Sequence, residues 1–410
     1  MSRLPFWFIV TGMIGFALFQ AASLVTLFGW IGDGVRGPAG WFNVHLFVLG
    51  WATMLAMGAV YQLIGVILQS KLYSERLGYV HYAVFTVGLT GLLSGFVRGE
   101  IEWIAASASL TFIGILLFAW NVAATLIRAS QWNTITASAA TAVLYLVLTG
   151  LAGMVMGLNF ATGWWNDLHN RLFGAHIWFG TVGWFGLLIT GFSYKMLPMF
   201  YLAHHYPTML QKAVLWIWNA ATLIGAGSFL AGGSDWLILS ALILLAVAVV
   251  LYNIHLLQIR RDRHKRSPGK GIQWSMYGNH ALAVIVAAAA VWAMANPQRM
   301  LDTKAVLLAG WIWLAGWVSF MILCYASKII PFLWWTRKYG HRAGQPGTPI
   351  LADLLDERKV NVSLAVIAGS LLLPAAGLLL DSQALVAAGG AVNAVGSLFY
   401  VALLGLVFSR

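Results

Sequence analysis

Charge is what this sequence has least of. Asp, Glu, Lys and Arg make up 9% of its 410 residues, against 60% hydrophobic residues and a mean hydropathy of +0.81. A soluble chain carries about 25% charged residues, because a surface facing water needs them. The 24 basic and 12 acidic side chains are too few to solvate a 44.7 kDa surface, so the chain reads as an integral membrane protein. Cysteine is almost as scarce. A lone Cys324 excludes disulfides within the chain, a thiolate metal cluster and the Cys-x-x-Cys-His attachment of a c-type haem. The short alternating segments of an outer-membrane barrel are missing, and long apolar runs select helices instead. Disorder, a secreted disulfide scaffold and a nucleic-acid binder are excluded by the same composition. No P-loop, Rossmann fingerprint or His-Glu-x-x-His pattern occurs.

Apolar runs bounded by charge, Gly/Pro and polar clusters predict twelve spans. They lie at roughly 5–30, 41–69, 78–98, 103–127, 136–160, 172–201, 211–231, 236–258, 277–296, 304–335, 360–379 and 383–408. The run after Met1, Ser2 and Arg3 is too long for a signal peptide and lacks its small-residue cleavage site, so it reads as the first span. With the N-terminus placed in the cytoplasm, the inner segments hold all Lys and Arg except Arg36, Arg98, Arg171, Arg299 and Lys304. Acids such as Glu100, Glu102 and Asp167 fall outside. The formal charge of +12 is therefore topogenic and sits against anionic inner-leaflet lipid. The expected location is a bacterial cytoplasmic membrane with both termini cytoplasmic.

Spans two, six and ten share a pattern: GWATMLAMGAVYQLIG, GWFGLLITGFSYKMLP and GWVSFMILCYASKIIP. Aligning Gly50-Trp51, Gly183-Trp184 and Gly316-Trp317 matches Tyr61 with Tyr194 and Ser327. It also matches Gln62 with Lys195 and Lys328, and Gly65 with Pro198 and Pro331. Both steps are 133 residues without a gap. One reading is that long spans end alike, with Lys snorkelling and Pro stopping the helix. The other is an all-α membrane protein of twelve transmembrane helices, built as three four-helix repeats with pseudo-threefold symmetry. The repeats would cover approximately 1–130, 131–270 and 271–410 of a single domain, 1–410, with spans two, six and ten as the inner ring.

Ionisable groups inside a bilayer are costly and point to function. Of the ten histidines, only His45 and His176 lie well inside spans in their outer half. They stand five and seven residues before their Gly-Trp pairs, within about 3 Å of the same depth. Two residues of helix are about 200° of rotation, so in one ring handedness both imidazoles face a shared gap. Two neutral imidazoles at equal depth suit the axial positions of a haem iron. Each then needs an acceptor for its other ring nitrogen, which a backbone carbonyl or Asn43 could supply. Arg171, Arg36 and Arg98 are placed for the propionates. His204 and His205, with His81 or His280, could instead form an inner metal or second haem site, although such His pairs are common surface features. Most of the 21 Trp read as interfacial anchors and the 13 Met as gap-fillers rather than copper ligands.

At these residues the chain resembles subunit I of the haem-copper oxidase and nitric oxide reductase superfamily. NVHLFVLGWATMLAMGAVYQLIG is similar to that family's helix two, AHIWFGTVGWFGLLITGFSYKMLP to its His-x-x-x-x-x-x-Gly helix pattern, and SKIIPFLWWTRKYG to the end of its helix ten. The likeness covers the whole chain in topology and about three helices in motif. It implies a twelve-helix fold in three arcs, with His45 as one low-spin haem ligand. The family's His-x-His pair on helix ten is replaced by Ala309 and Trp311. His176 matches the first copper ligand, but the pair His204-His205 lies at the opposite membrane face. The resemblance thus implies a divergent relative without oxygen or NO reduction, holding one haem b between His45 and His176, with copper unsupported. The expected role is electron transfer from the quinone pool to an outer-face acceptor. Quinol, a redox partner or further subunits would be its partners beside membrane lipid. A haem-based NO-response protein and a metal-free transporter are the alternatives. Against the transporter, no pair of short, broken spans and no midplane acid is evident.

Overall fold

The computed structural model describes residues 3–68, 71–128 and 132–410. Among these, no β-strand occurs, and twelve helices are long and apolar enough to cross a membrane. They are Leu4–Val25, Pro38–Gly65, Glu75–Arg98, Ile101–Ile127, Thr134–Thr162, Asn166–Tyr201, Met209–Leu230, Asp235–Arg261, Lys270–Ala295, Thr303–Lys338, Glu357–Leu379 and Gln383–Ser409. All twelve expected spans are present, and the chain is an integral membrane protein by this measure. Spans six and ten, at 36 residues each, are about 54 Å long, more than the ~40–45 Å of a whole bilayer. They must tilt or protrude.

Several ends differ from the sequence reading for physical reasons. The first span stops at Val25 rather than near residue 30, because Leu27 and Phe28 take left-handed φ values of 46° and 58°. Part of the apolar tail packs inward: Phe28 and Ile31 are buried in a cluster with Val386 and Ala394 of span twelve. Span six starts at Asn166, where the side chain of Asn159 accepts from Trp165 N and donates to Asn166. Span nine starts at Lys270 rather than 277, since Ile272, Ser275 and Met276 form a buried face on its first turns. Side-chain caps open other spans. Ser74 accepts from Leu77 N, Asn133 from Ile135 N and Thr136 N, and Asp356 from Arg358 N and Lys359 N.

The chain divides into two compact units. One comprises Met1–Ala59, Arg266–Asn279 and Val306–Arg410; the other comprises Val60–Lys265 and His280–Ala305. Within the first, span one packs on spans two and twelve, and span twelve packs on ten and eleven. In the second, successive spans three to eight pack side by side, and span six also meets span eight. Lipid tails are as apolar as the side chains, so close backbone approach and hydrogen bonds have to hold such spans together. A Cβ on Gly15 would stand 2.1 Å from Gly50 O, and one on Gly88 2.6 Å from Thr111 N. Only glycine permits either crossing.

Three spans carry a π-helical segment, with i→i+5 bonding: Leu46–Thr53, Phe179–Gly186 and Trp311–Ser319. The first two are offset by 133 residues, and the third covers the next step of the same length. Each contains one of the aligned Gly-Trp pairs, and Trp51, Trp184 and Trp317 are all 1% exposed. Past the π segments, the helices continue through their prolines, against the reading in which proline stops them. Pro198 lies inside Leu187–Tyr201, and Pro331 inside Phe320–Lys338, which runs seven residues beyond it. Each proline removes one backbone N–H donor. Buried Ile330 and Leu333 on span ten, and Leu197 and Tyr201 on span six, keep the helices docked regardless.

Candidate functional site

His45 ends the helical turns Pro38–His45 and is half-buried. Its Nδ1 lies 2.8 Å from the carbonyl oxygen of Trp41, one turn back. A carbonyl only accepts, so Nδ1 is the protonated nitrogen and Nε2 carries the lone pair. Asn43, the other acceptor expected for this ring, is engaged elsewhere: its Nδ2 donates to Ala39 O at 2.8 Å and its Oδ1 accepts from Ser23 at 3.5 Å.

His176 has the same tautomer by a different route. Its Nδ1 donates to Thr149 O on span five at 2.9 Å, so Nε2 again carries the lone pair. The ring lies over Gly153, where a Cβ would come 3.1 Å from Cε1 and 3.4 Å from Nδ1. Two residues on, Trp178 faces the other way, its indole N–H donating to Ala221 O of span seven at 3.1 Å. Thr149 and Gly153 carry no mark in the sequence, because both lie on another span and act through a backbone oxygen and an absent side chain. His45 belongs to the first unit and His176 to the second.

The three arginines expected nearby are exposed at span ends. Arg36 closes the short turn Asp33–Arg36, Arg171 lies five residues before His176, and Arg98 forms a 3.8 Å ion pair with Glu100. In span ten, the place of a histidine is taken by Ala309 and Trp311, and the Trp311 indole donates to Leu371 O at 3.0 Å. An indole N–H is a donor only, so Trp311 cannot ligate a metal.

The other histidines have separate partners. His81, fully buried, pairs through Nδ1 with the Tyr61 hydroxyl at 2.9 Å. His255 accepts from Gln211 at 3.0 Å and donates to Gln258 at 3.4 Å; His280 donates through Nδ1 to Asn253 at 2.9 Å. The backbone N–H groups of His204 and His205 both donate to the Asp262 carboxylate, at 3.0 and 2.8 Å, and the His204 ring stacks on His264. Among the described residues, no three His, Cys, Asp or Glu side chains gather as a metal site. His81 and His280, weighed with His204 and His205 for an inner site, are each tied through Nδ1, to Tyr61 and Asn253.

Outside the spans, the N–H of His205, with that of His204, holds the Asp262 carboxyl below the usual carboxylate range, and the nearby imidazoles of His205 and His264 add to the shift. Burial, and then the Asp262 charge, push the Tyr206 phenol up. Lys328, expected to snorkel, instead forms an ion pair with Glu357, whose second oxygen accepts from Lys270 N. Spans nine, ten and eleven meet at that carboxylate. No protein-family model and no curated protein matches this sequence.

Proposed function

We propose that this chain is a b-type haem membrane protein, a divergent relative of the haem-copper oxidase subunit I superfamily, and that it transfers electrons. In this reading His45 and His176 would hold the haem iron. Spans two, six and ten form the inner ring of three four-helix repeats. The single observation that carries the proposal is the shared tautomer: each imidazole is tied through Nδ1 to a backbone carbonyl, at 2.8 and 2.9 Å, which leaves Nε2 as its basic nitrogen. Metal-ligating histidines are oriented in this way, and the hydrogen bond raises the basicity of the ligating atom.

A haem held by both imidazoles would supply one-electron exchange rather than ligand chemistry. The chain's own residues bind and orient. Trp41 O and Thr149 O fix the two rings, Gly153 leaves room for the His176 imidazole, and the apolar spans exclude water. Arg36, Arg171 and Arg98, all exposed, would receive the propionates. The absence of a metal-ligating side chain at Ala309 and Trp311 argues against a second, reactive haem. Electrons would come from membrane quinol and leave to an outer-face acceptor, in a bacterial cytoplasmic membrane with both termini inside.

The test is the visible spectrum and haem content of the purified protein. One haem b per chain is expected, with sharp reduced α and Soret bands that do not move with CO. His45→Ala and His176→Ala should each abolish the low-spin signal. Haem surviving both substitutions, or no haem in the parent, would overturn the proposal; bands that shift with NO or CO would favour a sensor instead.

A further inference from the structure

We infer that Arg337 and Lys338, seated on aromatic rings at one end of spans one, ten and twelve, bind the headgroup of an anionic phospholipid. The inference does not depend on haem. Every residue that carries it lies in the first compact unit. The formal charge of +12 draws anionic lipid to the basic surface in general, whereas a ring platform holds one lipid in a fixed place.

Three rings from three spans close on one another there. Phe6 of span one lies 6.3 Å from both Trp334 of span ten and Phe408 of span twelve, and Trp334 lies 5.5 Å from Phe408. All three contacts are edge-to-face, an arrangement that aromatic quadrupoles favour. The Trp334 indole N–H donates to Arg410 O at 2.8 Å, which fixes that ring. Two cations sit on this platform, within the ~6 Å at which a ring face attracts charge. The Arg337 guanidinium carbon is 5.1 Å from the Phe6 centroid. Lys338 Nζ is 5.7 Å from the centroid of Trp334 and 5.3 Å from that of Tyr339.

Lys338 also donates to Arg410 O. Among the described residues, no hydrogen bond or ion pair engages the Arg337 side chain. A guanidinium laid on a ring face keeps its N–H donors free in its own plane, and that fork matches the oxygens of a phosphate. Exposed Arg3, whose carbonyl accepts from Phe6 N, adds a third positive charge at this end of span one. The other half of the ligand follows from what lies beside the cations. Trp7, Val10, Ile14 and Leu18 are all exposed, and their spacing places them on one face of span one. That apolar lane begins next to Phe6 and runs about 16 Å along the helix. A phosphodiester carrying acyl chains matches both the fork and the lane, whereas a free anion or an acidic peptide leaves the lane unmatched.

Native mass spectrometry of the full chain in detergent tests this, with phosphatidylglycerol or phosphatidylcholine of the same acyl chains added in turn. One phosphatidylglycerol should be retained in preference to phosphatidylcholine. Arg337→Gln should weaken that affinity about fivefold, and Arg337→Gln with Lys338→Gln about 25-fold, taking each cation at the value of one basic group at an anionic membrane surface. Trp334→Leu and Phe408→Leu keep every charge, yet each should weaken it about twofold to fivefold by unseating a cation. The control is Arg128, whose guanidinium lies 4.5 Å from the single ring of Tyr73. Arg128→Gln should leave the retained lipid unchanged.

Equal retention of the two lipids overturns the inference. So does an equal loss from Arg128→Gln and Arg337→Gln, which would mean diffuse attraction to charge. Ring substitutions without effect, in chains that unfold at the parent's temperature, overturn it as well. Inorganic phosphate that displaces the phosphatidylglycerol would reassign the site to a free anion. If neither ring variant folds, the exposed Arg337→Gln decides against Arg128→Gln.

Discussion

Spans six and ten are built alike and end differently in chemistry. Each is 36 residues long, carries a π segment around a Gly-Trp pair, and has a lysine three residues ahead of a proline that does not end the helix. Two residues before the site of a tryptophan in each, span six has His176 and span ten has Ala309. The tryptophans behave the same way: Trp178 donates to Ala221 O of span seven and Trp311 to Leu371 O of span eleven. Scaffold and chemistry are thus separable in this chain. The scaffold uses the tryptophan to tie one span to the next, and the position two residues earlier is free to hold an imidazole or nothing.

The largest expected effect breaks the comparison at that position. His176→Ala, which makes span six resemble span ten, should remove the low-spin haem signal entirely, whereas Ala309→Val should leave the reduced-minus-oxidised spectrum unchanged. Next come the glycines. Gly153→Leu would drive a side chain into the His176 ring, whose Cε1 lies 3.1 Å from an ideal Cβ, and should lower bound haem about tenfold. Gly310→Ala in span ten meets no atom within 4 Å; it should leave haem content alone and stabilise the protein by about 0.4–1 kcal/mol. Haem titration and thermal unfolding in detergent separate the two outcomes.

A smaller effect lies at the ion pair between spans ten and eleven. Glu357→Ala strips Lys328 of its partner and Lys270 N of its acceptor, and should cost about 1–2 kcal/mol, given that the carboxylate is 42% exposed. Trp178→Phe and Trp311→Phe each leave a carbonyl without its indole donor and should cost a similar amount, about 1 kcal/mol, with no spectral change for Trp311→Phe. The smallest effect is a dependence on pH. The Asp262 pKa is depressed on folding, so its contribution is complete above the unfolded value and is lost as pH falls through the folded one. Melting temperature should therefore fall below the ordinary carboxylate range, and Asp262→Asn should flatten that acid limb.

Much of the fold was legible because a bilayer is a demanding solvent. Apolar runs bounded by charge, Gly/Pro and polar clusters located all twelve spans, with errors at several of their ends. Phe28 and Ile31 illustrate this: composition cannot distinguish a side chain facing lipid from one facing span twelve. Proline did not mark the helix ends, for a related reason. Pro331 does break a backbone bond, but burial of Ile330 and Leu333 outweighs the loss. Of the candidate site, the two histidines could be singled out because polar rings are rare well inside apolar spans. Their acceptors were less legible. Asn43 looked as suitable as any carbonyl, and nothing marks Thr149 O or Gly153, which lie on a neighbouring span.

The sequence by itself determined the membrane, the number of spans and the shortlist of imidazoles, because hydropathy and charge act locally and are written residue by residue. Tertiary structure alone decided which nitrogen of each ring carries the proton, which lysine is paired, and where the helices widen from α to π. Those outcomes depend on what one span meets on another, and no single stretch of chain contains both partners.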